Sequence, residues 1–376
     1  MERKASLKKV KRVVVKVGTA ILTKNNLELN TVHIRKLVRE MAVLHKKGYE
    51  LILVSSGAIS VGAHVLGYTT RPKNLTTKQA SAAVGQGRLV HIYQKLFEKH
   101  GINTAQVLLT RDDLASRERY VNAKNTLNEL LSMKIIPVIN ENDTVAVEEI
   151  EFGDNDRLAA YCTHLIQADL LIILSDIEGL MTGDPRVKGK NFQTIPVVTK
   201  IDRDIEMMAE GTRAYRGIGG IRTKLDAAKI VVVSGEMMIL ADGKRKDVLV
   251  RIMNGEDVGT IFYPHGQKMK HKKRWLAFVG QPKGKLVVDS GAEQALKNSA
   301  GRSLLASGIL AVDREFQKGN VVDIVTEDGK LIARGRTGFS SQEIRLIRGK
   351  RTSEIKKLID GKVPDEVIHR DELVVF

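Results

Sequence analysis

The sequence predicts an α/β protein with a mostly parallel sheet sandwiched by helices, followed by a small β-rich domain at the C-terminal end. Three observations carry this. Up to about residue 262, short β-branched runs alternate with longer helical patterns. After it, short alternating strands with glycine turns take over. And 376 residues is too long for one compact core, so two domains are expected.

In chain order, Val13–Val17 is the first strand, β-branched apart from Lys16. The helical pattern Thr31–Lys47 leads to the strand Leu51–Val54, and Lys78–His100 leads to Gln106–Leu109. Asn122–Met133 leads to Ile135–Ile139. The helical run Asp156–Gln167 precedes Leu170–Leu174, and Leu225–Val232 precedes Met237–Leu240. Strands separated by helices pair in parallel, with both sheet faces covered. In such sheets ligands bind beyond the carboxyl ends of the strands, so chemistry is expected in the residues just after each one.

The first domain is expected over residues 1–262. Residues 263–274 are polar and basic, with Pro264, Gly266 and five Lys or Arg from Lys268 to Arg274, and read as a linker. Residues 275–353 form the β-rich domain, with strands Lys285–Val288, Ile309–Val312, Val321–Val325 and Lys330–Arg334. The last two flank Thr326-Glu327-Asp328-Gly329, whose Asp-Gly step favours a hairpin. Residues 354–376 are expected as a tail.

Hydrophobic residues at 43% and charged residues at 28% describe an ordinary globular chain. The formal charge of +17 suits anionic ligands such as nucleotides, dicarboxylates or nucleic acid, without choosing among them. Cys162 is the single cysteine, so no intrachain disulfide can form. It reads as a small buried hydrophobe rather than a nucleophile, in a reducing, cytoplasmic compartment. No run approaches a membrane span, and the first apolar run is too short for a signal peptide.

After the first strand stands Lys16-Val17-Gly18-Thr19. Gly18 allows close approach of a phosphate, and Lys16 adds a cation at the strand end. By themselves these two also describe an ordinary strand edge, and there is no G-x-x-x-x-G-K-[ST] loop. The second strand runs into Ser55-Ser56-Gly57-Ala58, an anion site built from a strand-to-helix turn, in which one serine could equally be a helix cap. Asn140-Glu141-Asn142-Asp143 and Gly153-Asp154-Asn155-Asp156 are dense carboxylate and amide clusters. Such groups bind an ammonium, orient a lysine or meet Mg²⁺, although solvated turns share the composition. Ser175-Asp176 follows the strand Leu170–Leu174. Gly217-Ile218-Gly219-Gly220-Ile221-Arg222-Thr223-Lys224 opens a helix as a second phosphate cradle.

Two distant lysines, two glycine-rich turns and an aspartate cluster point to phosphoryl transfer, which needs charge stabilisation and alignment more than covalent help. No catalytic base is evident. A carboxylate acceptor, with a pKa of about 4.3 for a glutamate side chain, needs none at neutral pH.

The runs Val14-Val15-Lys16-Val17-Gly18-Thr19, Ser55-Ser56-Gly57-Ala58-Ile59 and Pro137-Val138-Ile139-Asn140-Glu141-Asn142-Asp143 resemble the amino acid kinase family. Lys78-Gln79, Ala83-Val84-Gly85-Gln86, Leu109-Thr110-Arg111 and Gly153-Asp154-Asn155-Asp156 narrow the match to its glutamate-phosphorylating members. Val288-Asp289-Ser290-Gly291-Ala292, Ser303-Leu304-Leu305 and Gly308-Ile309 resemble a PUA domain. The match follows nearly the whole chain in order.

The resemblance implies the amino acid kinase fold, ATP as phosphoryl donor with Mg²⁺, and L-glutamate as acceptor in proline synthesis. It also implies proline as feedback inhibitor and a homo-oligomer. Lys16, Lys224 and Asp156 would be catalytic, with Asp156 holding both lysines. Ser56, Asp143, Asn155 and Asp154 would bind glutamate. Gly18, Ser175, Asp176, Ile218, Gly219, Gly220, Ile221, Arg222 and Thr223, with the two lysines, would bind nucleotide; no protein metal site is implied. Relatives usually read Gly-Thr-Gly-Gly-Met where this chain has Gly217-Ile218-Gly219-Gly220-Ile221, so a hydroxyl contact is absent at Ile218 and Arg222 adds a cation.

A sibling kinase acting on aspartate, acetylglutamate or UMP is a rival that the Asn-Glu-Asn-Asp cluster and the C-terminal domain disfavour. An RNA-binding role for the C-terminal domain is the rival from another class. The basic segment lacks interleaved aromatics for stacking, with only Trp275 at its edge.

Overall fold

The computed structural model describes residues 2–145, 155–183, 192–210, 220–264, 273, 275–298, 302–350, 354–355, 358 and 364–376. The chain divides into two compact units, residues 1–268 and 269–376.

The first unit is built on eight strands: β1 (Arg12–Val17), β2 (Glu50–Ser55), β3 (Thr104–Leu109), β4 (Ile136–Glu141), β5 (Leu170–Ser175), β6 (Val197–Val198), β7 (Met237–Asp242) and β8 (Thr260–Phe262). Their order is β3-β4-β2-β1-β5-β7-β8-β6, parallel throughout except for β7 against β8. Central strands are apolar runs rather than alternations: every residue of β5 is buried, as are the last five of β1 and β2. A strand buried on both faces needs helices on both sides, and the mostly parallel sheet sandwiched by helices follows. The core joins these strands to Ile34, Leu37, Val38 and Met41 of the helix Thr31–Lys46 and to Leu89, Tyr93 and Phe97 of the helix Leu75–Glu98. Cys162 lies fully inside, and burial pushes its thiol up to about 12. Among the described residues no helix is long and apolar enough to cross a membrane.

Three differences from the sequence expectation bear on the site. β4 runs on to Glu141, because Leu108 and Leu109 of β3 continue the ladder opposite Asn140 and Glu141. Those two polar residues therefore belong to a strand end rather than to a turn after it. The helix expected from Leu225 begins at Ile221, with Gly220 as its N-cap, so Lys224 sits in its first turn. Asn155 and Asp156 likewise open the helix Asn155–Leu165.

The second unit is a five-stranded sheet of β9 (Gly284–Val288), β10 (Ile309–Asp313), β11 (Val321–Val325), β12 (Leu331–Arg336) and β13 (Leu373–Val375), in the order β10-β9-β11-β12-β13. It has its own core, including Leu286, Val322, Ile324, Ile344 and Ile368. The separate tail expected from residue 354 is corrected here: Val367 and Ile368 are buried in this core and β13 pairs with β12. Apolar residues at 367, 368, 373 and 374 cannot stay in water when an open sheet edge can bury them. Most of the expected linker at 263–274 lies outside the described residues.

Candidate active site

The carboxyl ends of β1, β2, β4 and β5 open into one cavity. At the end of β1, the Gly18 N–H bonds the Leu174 carbonyl at 3.1 Å, tying the turn to β5. A Cβ on Gly18 would stand 3.7 Å from Lys16 Nζ, an ordinary contact, so the turn passes close beside that lysine. At the end of β2, the Ser56 N–H bonds Val17 O at 3.2 Å, and Gly57 takes φ +101° to launch the helix Ala58–Val65. That backbone state strains any residue with a Cβ, which accounts for the glycine.

Asp156 is the electrostatic centre. It is fully buried, with Lys16 Nζ 2.5 Å from Oδ1 and Lys224 Nζ 3.1 Å from Oδ2. The Thr223 hydroxyl donates to Oδ2 at 3.0 Å. Two lysines share one buried carboxylate, and both line the cavity. The group is held from two helices, Asn155–Leu165 and Ile221–Val233. Their starts are clamped by Arg157 on Asp226 at 2.6 Å. Toward their far ends lies a buried cluster in which His164 meets the Ser234 hydroxyl at 3.1 Å and Glu236 at 3.3 Å.

Beside the lysines lies an amide network. Asn155 Nδ2 is 3.0 Å from Ser55 O, 3.0 Å from Ser56 Oγ and 2.8 Å from Asn140 Oδ1. Asn140 in turn donates to Gln86 Oε1 at 2.8 Å. The ends of β2 and β4, one long helix and the start of the Asn155 helix are thus cross-linked by buried polar groups, which rigidify a site when satisfied. Asp143, in the turn after β4, lines the same cavity, as do Ser175 and Asp176 after β5. Ser175 Oγ donates to Asp176 at 3.2 Å, and the Gly243 N–H bonds Ser175 O at 2.8 Å.

Of the residues singled out from sequence, Lys16, Gly18, Ser56, Asp143, Asn155, Ser175, Asp176 and Lys224 line this cavity, with Asp156 joined to both lysines. Gly220, Ile221, Arg222 and Thr223 form the start of the Lys224 helix. Asp154, Ile218 and Gly219 lie outside the described residues. Sequence reasoning did not single out Arg71, Asn140 or Glu141 as site residues. The two strand-end residues carried a signal in the quoted cluster. Arg71, in a loop far from any strand end, carried none.

Among proteins of known kind, residues 11–241 match the amino acid kinase family and residues 284–359 match the PUA domain. The glutamate 5-kinase of Geobacter sp. (strain M21) is 47% identical over 374 residues, covering 100% of both chains. That of Caldanaerobacter subterraneus subsp. tengcongensis is 50% identical over 365 residues, covering 97% of this chain and 98% of its own. That of Carboxydothermus hydrogenoformans is 48% identical over 370 residues, covering 98% of each. With the strand-end lysine, the shared aspartate and the amide network assembled in one cavity, and with relatives matched from end to end, the chain belongs to the amino acid kinase family and carries a PUA domain after its kinase domain.

Proposed function

We propose that the chain transfers the γ-phosphoryl group of ATP to the side-chain carboxylate of L-glutamate, giving ADP and L-glutamyl 5-phosphate, the first step of proline synthesis. The observation that carries this reading is the buried Asp156 joined to two lysines that face a cavity rich in amides and carboxylates. The similarity to curated glutamate 5-kinases over the whole chain supports the choice of acceptor.

In this reading a glutamate side-chain oxygen attacks the γ-phosphorus, an oxygen–phosphorus bond forms, and the bond to the bridging oxygen of ADP breaks. The nucleophile is ionised at neutral pH, so the chain supplies placement and charge rather than a base. Lys16 and Lys224 stabilise the transferring group, and Asp156 keeps them together. Ser56, Asp143 and Asn155, with Asp154 nearby, hold the amino acid. Gly18, Ser175 and Asp176 and the turn from Ile218 to Thr223 hold the nucleotide.

Among the described residues, no group of three or more His, Cys, Asp or Glu side chains is placed to hold a metal by itself. Mg²⁺ would arrive on the nucleotide, its ligands mainly phosphate oxygens and water, and would neutralise phosphate charge there. Proline fits the reading as an inhibitor at the amino-acid end of the cavity, since it offers the same ammonium and carboxylate.

An ADP-release assay across L-glutamate, aspartate, acetylglutamate and UMP, with hydroxylamine trapping of the acyl phosphate, tests the assignment. Glutamate should lead and yield the hydroxamate. Equal or greater turnover of another acceptor overturns the reading.

A further inference from the structure

The amide network beside the lysines has a direction, and the residue that sets it stands behind the cavity wall. We propose that Gln86 is a positioning residue for the amino-acid substrate. It fixes which way the amide of Asn140 points, and through it which atom Asn155 turns to the ligand. The proposal rests on the glutamate reading above and deepens it by assigning the side chain that sets recognition of the ammonium.

The direction follows from the one atom in the network whose role cannot change. The backbone carbonyl of Ser55 only accepts hydrogen bonds. Asn155 stands 3.0 Å from it, so the atom Asn155 turns there is its amide nitrogen. That nitrogen is also 2.8 Å from the side chain of Asn140, which must therefore offer its oxygen. The other end of the Asn140 amide is then a donor, and Gln86 meets it with Oε1 at 2.8 Å. Each amide is locked by the next. Reversing Gln86 alone would set two NH2 groups face to face.

The consequence falls on the cavity, which Asn155 lines. Its NH2 group is taken up by Ser55 O, Ser56 Oγ and Asn140 Oδ1, all within 3.0 Å. The atom left for a ligand is the carbonyl oxygen Oδ1, an acceptor. An acceptor in the same cavity as the carboxylate of Asp143 suits an ammonium and disfavours a second carboxylate.

The placement of Gln86 points the same way. It sits on the buried face of the helix Leu75–Glu98, with Ala82, Leu89 and Val90, and is only 9% exposed. An amide there is costly unless it is bonded, and among the described residues its Nε2 has no hydrogen-bond partner. Packing does not account for such a side chain, whereas the bond its oxygen accepts from Asn140 does. The helix is also held firmly. A Cβ on the adjacent Gly85 would fall 1.9 Å from Ala58 O, so the two helices touch backbone to backbone. Two turns beyond Gln86, the Tyr93 hydroxyl lies 3.0 Å from Ser55 Oγ. One rigid helix thus braces both Ser55 and Asn140, the two sides between which Asn155 is oriented.

The test compares the wild-type full chain with Gln86→Met, which keeps the length and loses the acceptor, and Gln86→Glu, which keeps an acceptor oxygen. The readouts are kcat, KM for L-glutamate and for ATP, and the inhibition constant of glutarate, which is glutamate without its ammonium. Gln86→Met should raise KM for glutamate about 10-fold, because Asn140 and Asn155 are no longer held in one sense. The glutarate constant and KM for ATP should stay within about twofold and kcat within about threefold, small against that effect. Gln86→Glu should keep the preference for glutamate over glutarate within about threefold of wild type. Parallel losses for glutamate and glutarate in the Met variant would mark a merely structural defect and overturn the proposal, as would an unchanged KM for glutamate. Should the Met variant fail to fold by circular dichroism, the Glu variant decides: a preference that holds supports the role, and one that collapses refutes it. A wild-type chain that forms no hydroxamate from glutamate removes the underlying reading instead, and that is seen before any variant is compared.

Discussion

Asp156→Asn is the sharpest perturbation the site offers. The substitution keeps the shape of the side chain, removes its charge and replaces one carboxylate oxygen by an amide NH2 donor facing an ammonium. The lysines lie 2.5 and 3.1 Å from the two oxygens, in a place where all three side chains are nearly or fully shielded. At an effective dielectric of about 20, contacts of this length carry roughly 5–7 kcal/mol of gross attraction each. Desolvation and the mutual repulsion of the lysines offset most of this, so losing the shared partner should cost about 3–5 kcal/mol of stability. Asp156 also stands in the first turn of its helix, where a carboxylate adds about 0.3–1 kcal/mol against the dipole. Urea unfolding followed by circular dichroism reads the stability, and hydroxamate formation should show kcat lower by a factor on the order of 10²–10³. ATP should restore part of the lost stability, because its phosphates supply the missing negative charge. A variant that unfolds within about 1 kcal/mol of wild type and keeps near-normal kcat would refute the reasoning that one carboxylate organises both lysines.

Lys224→Ala should lower kcat by a similar factor on the order of 10²–10³, and near-normal turnover would remove the helix start at Ile221 from the site. Gly62→Ala or Gly85→Ala should destabilise the first unit by about 1–3 kcal/mol or more and raise KM for glutamate, since the helices carrying the Ser56 and Arg71 loops would be forced apart; urea titration and steady-state kinetics check this. Burial and a thiol pushed up to about 12 should leave Cys162 silent to a disulfide reagent at pH 8 until urea unfolds the chain, and rapid reaction of the native protein would contradict its place in the core. A chain stopped near His265 should fold and make glutamyl phosphate, since each unit has its own core and every assigned residue lies between Lys16 and Lys224; loss of the circular dichroism signal or of all activity would join the two units functionally.

Much of the site was legible because its residues cluster at strand ends. Val13–Val17 ending beside Gly18, and Leu51–Val54 ending at Ser55-Ser56-Gly57, locate two of the turns that line the cavity from apolar runs and the residues that stop them. The boundary at Asn140-Glu141 was misplaced for a physical reason. Local polarity says turn, while the β3 ladder still has two residues to pair. The tail was misread likewise, since a three-residue strand such as Leu373–Val375 has no period to detect and gains its meaning from the edge it covers.

The sequence by itself determined the α/β class, the change of domain and the inventory of chemistry, because apolar period, glycine placement and residue type are local properties. The resemblance already implied that Asp156 holds both lysines; the tertiary structure supplies the distances and the burial of that group. That Lys16 and Lys224, 208 positions apart, meet on one carboxylate follows from the order of parallel strands, which brings distant strand ends and helix starts to one edge. Arg71 belongs wholly to this second kind. Most of its loop is exposed, whereas Arg71 itself lines the cavity beside residues far from it in sequence. Contacts of that sort depend on close packing between segments far apart in the chain, and close packing leaves no trace in the pattern of either segment alone.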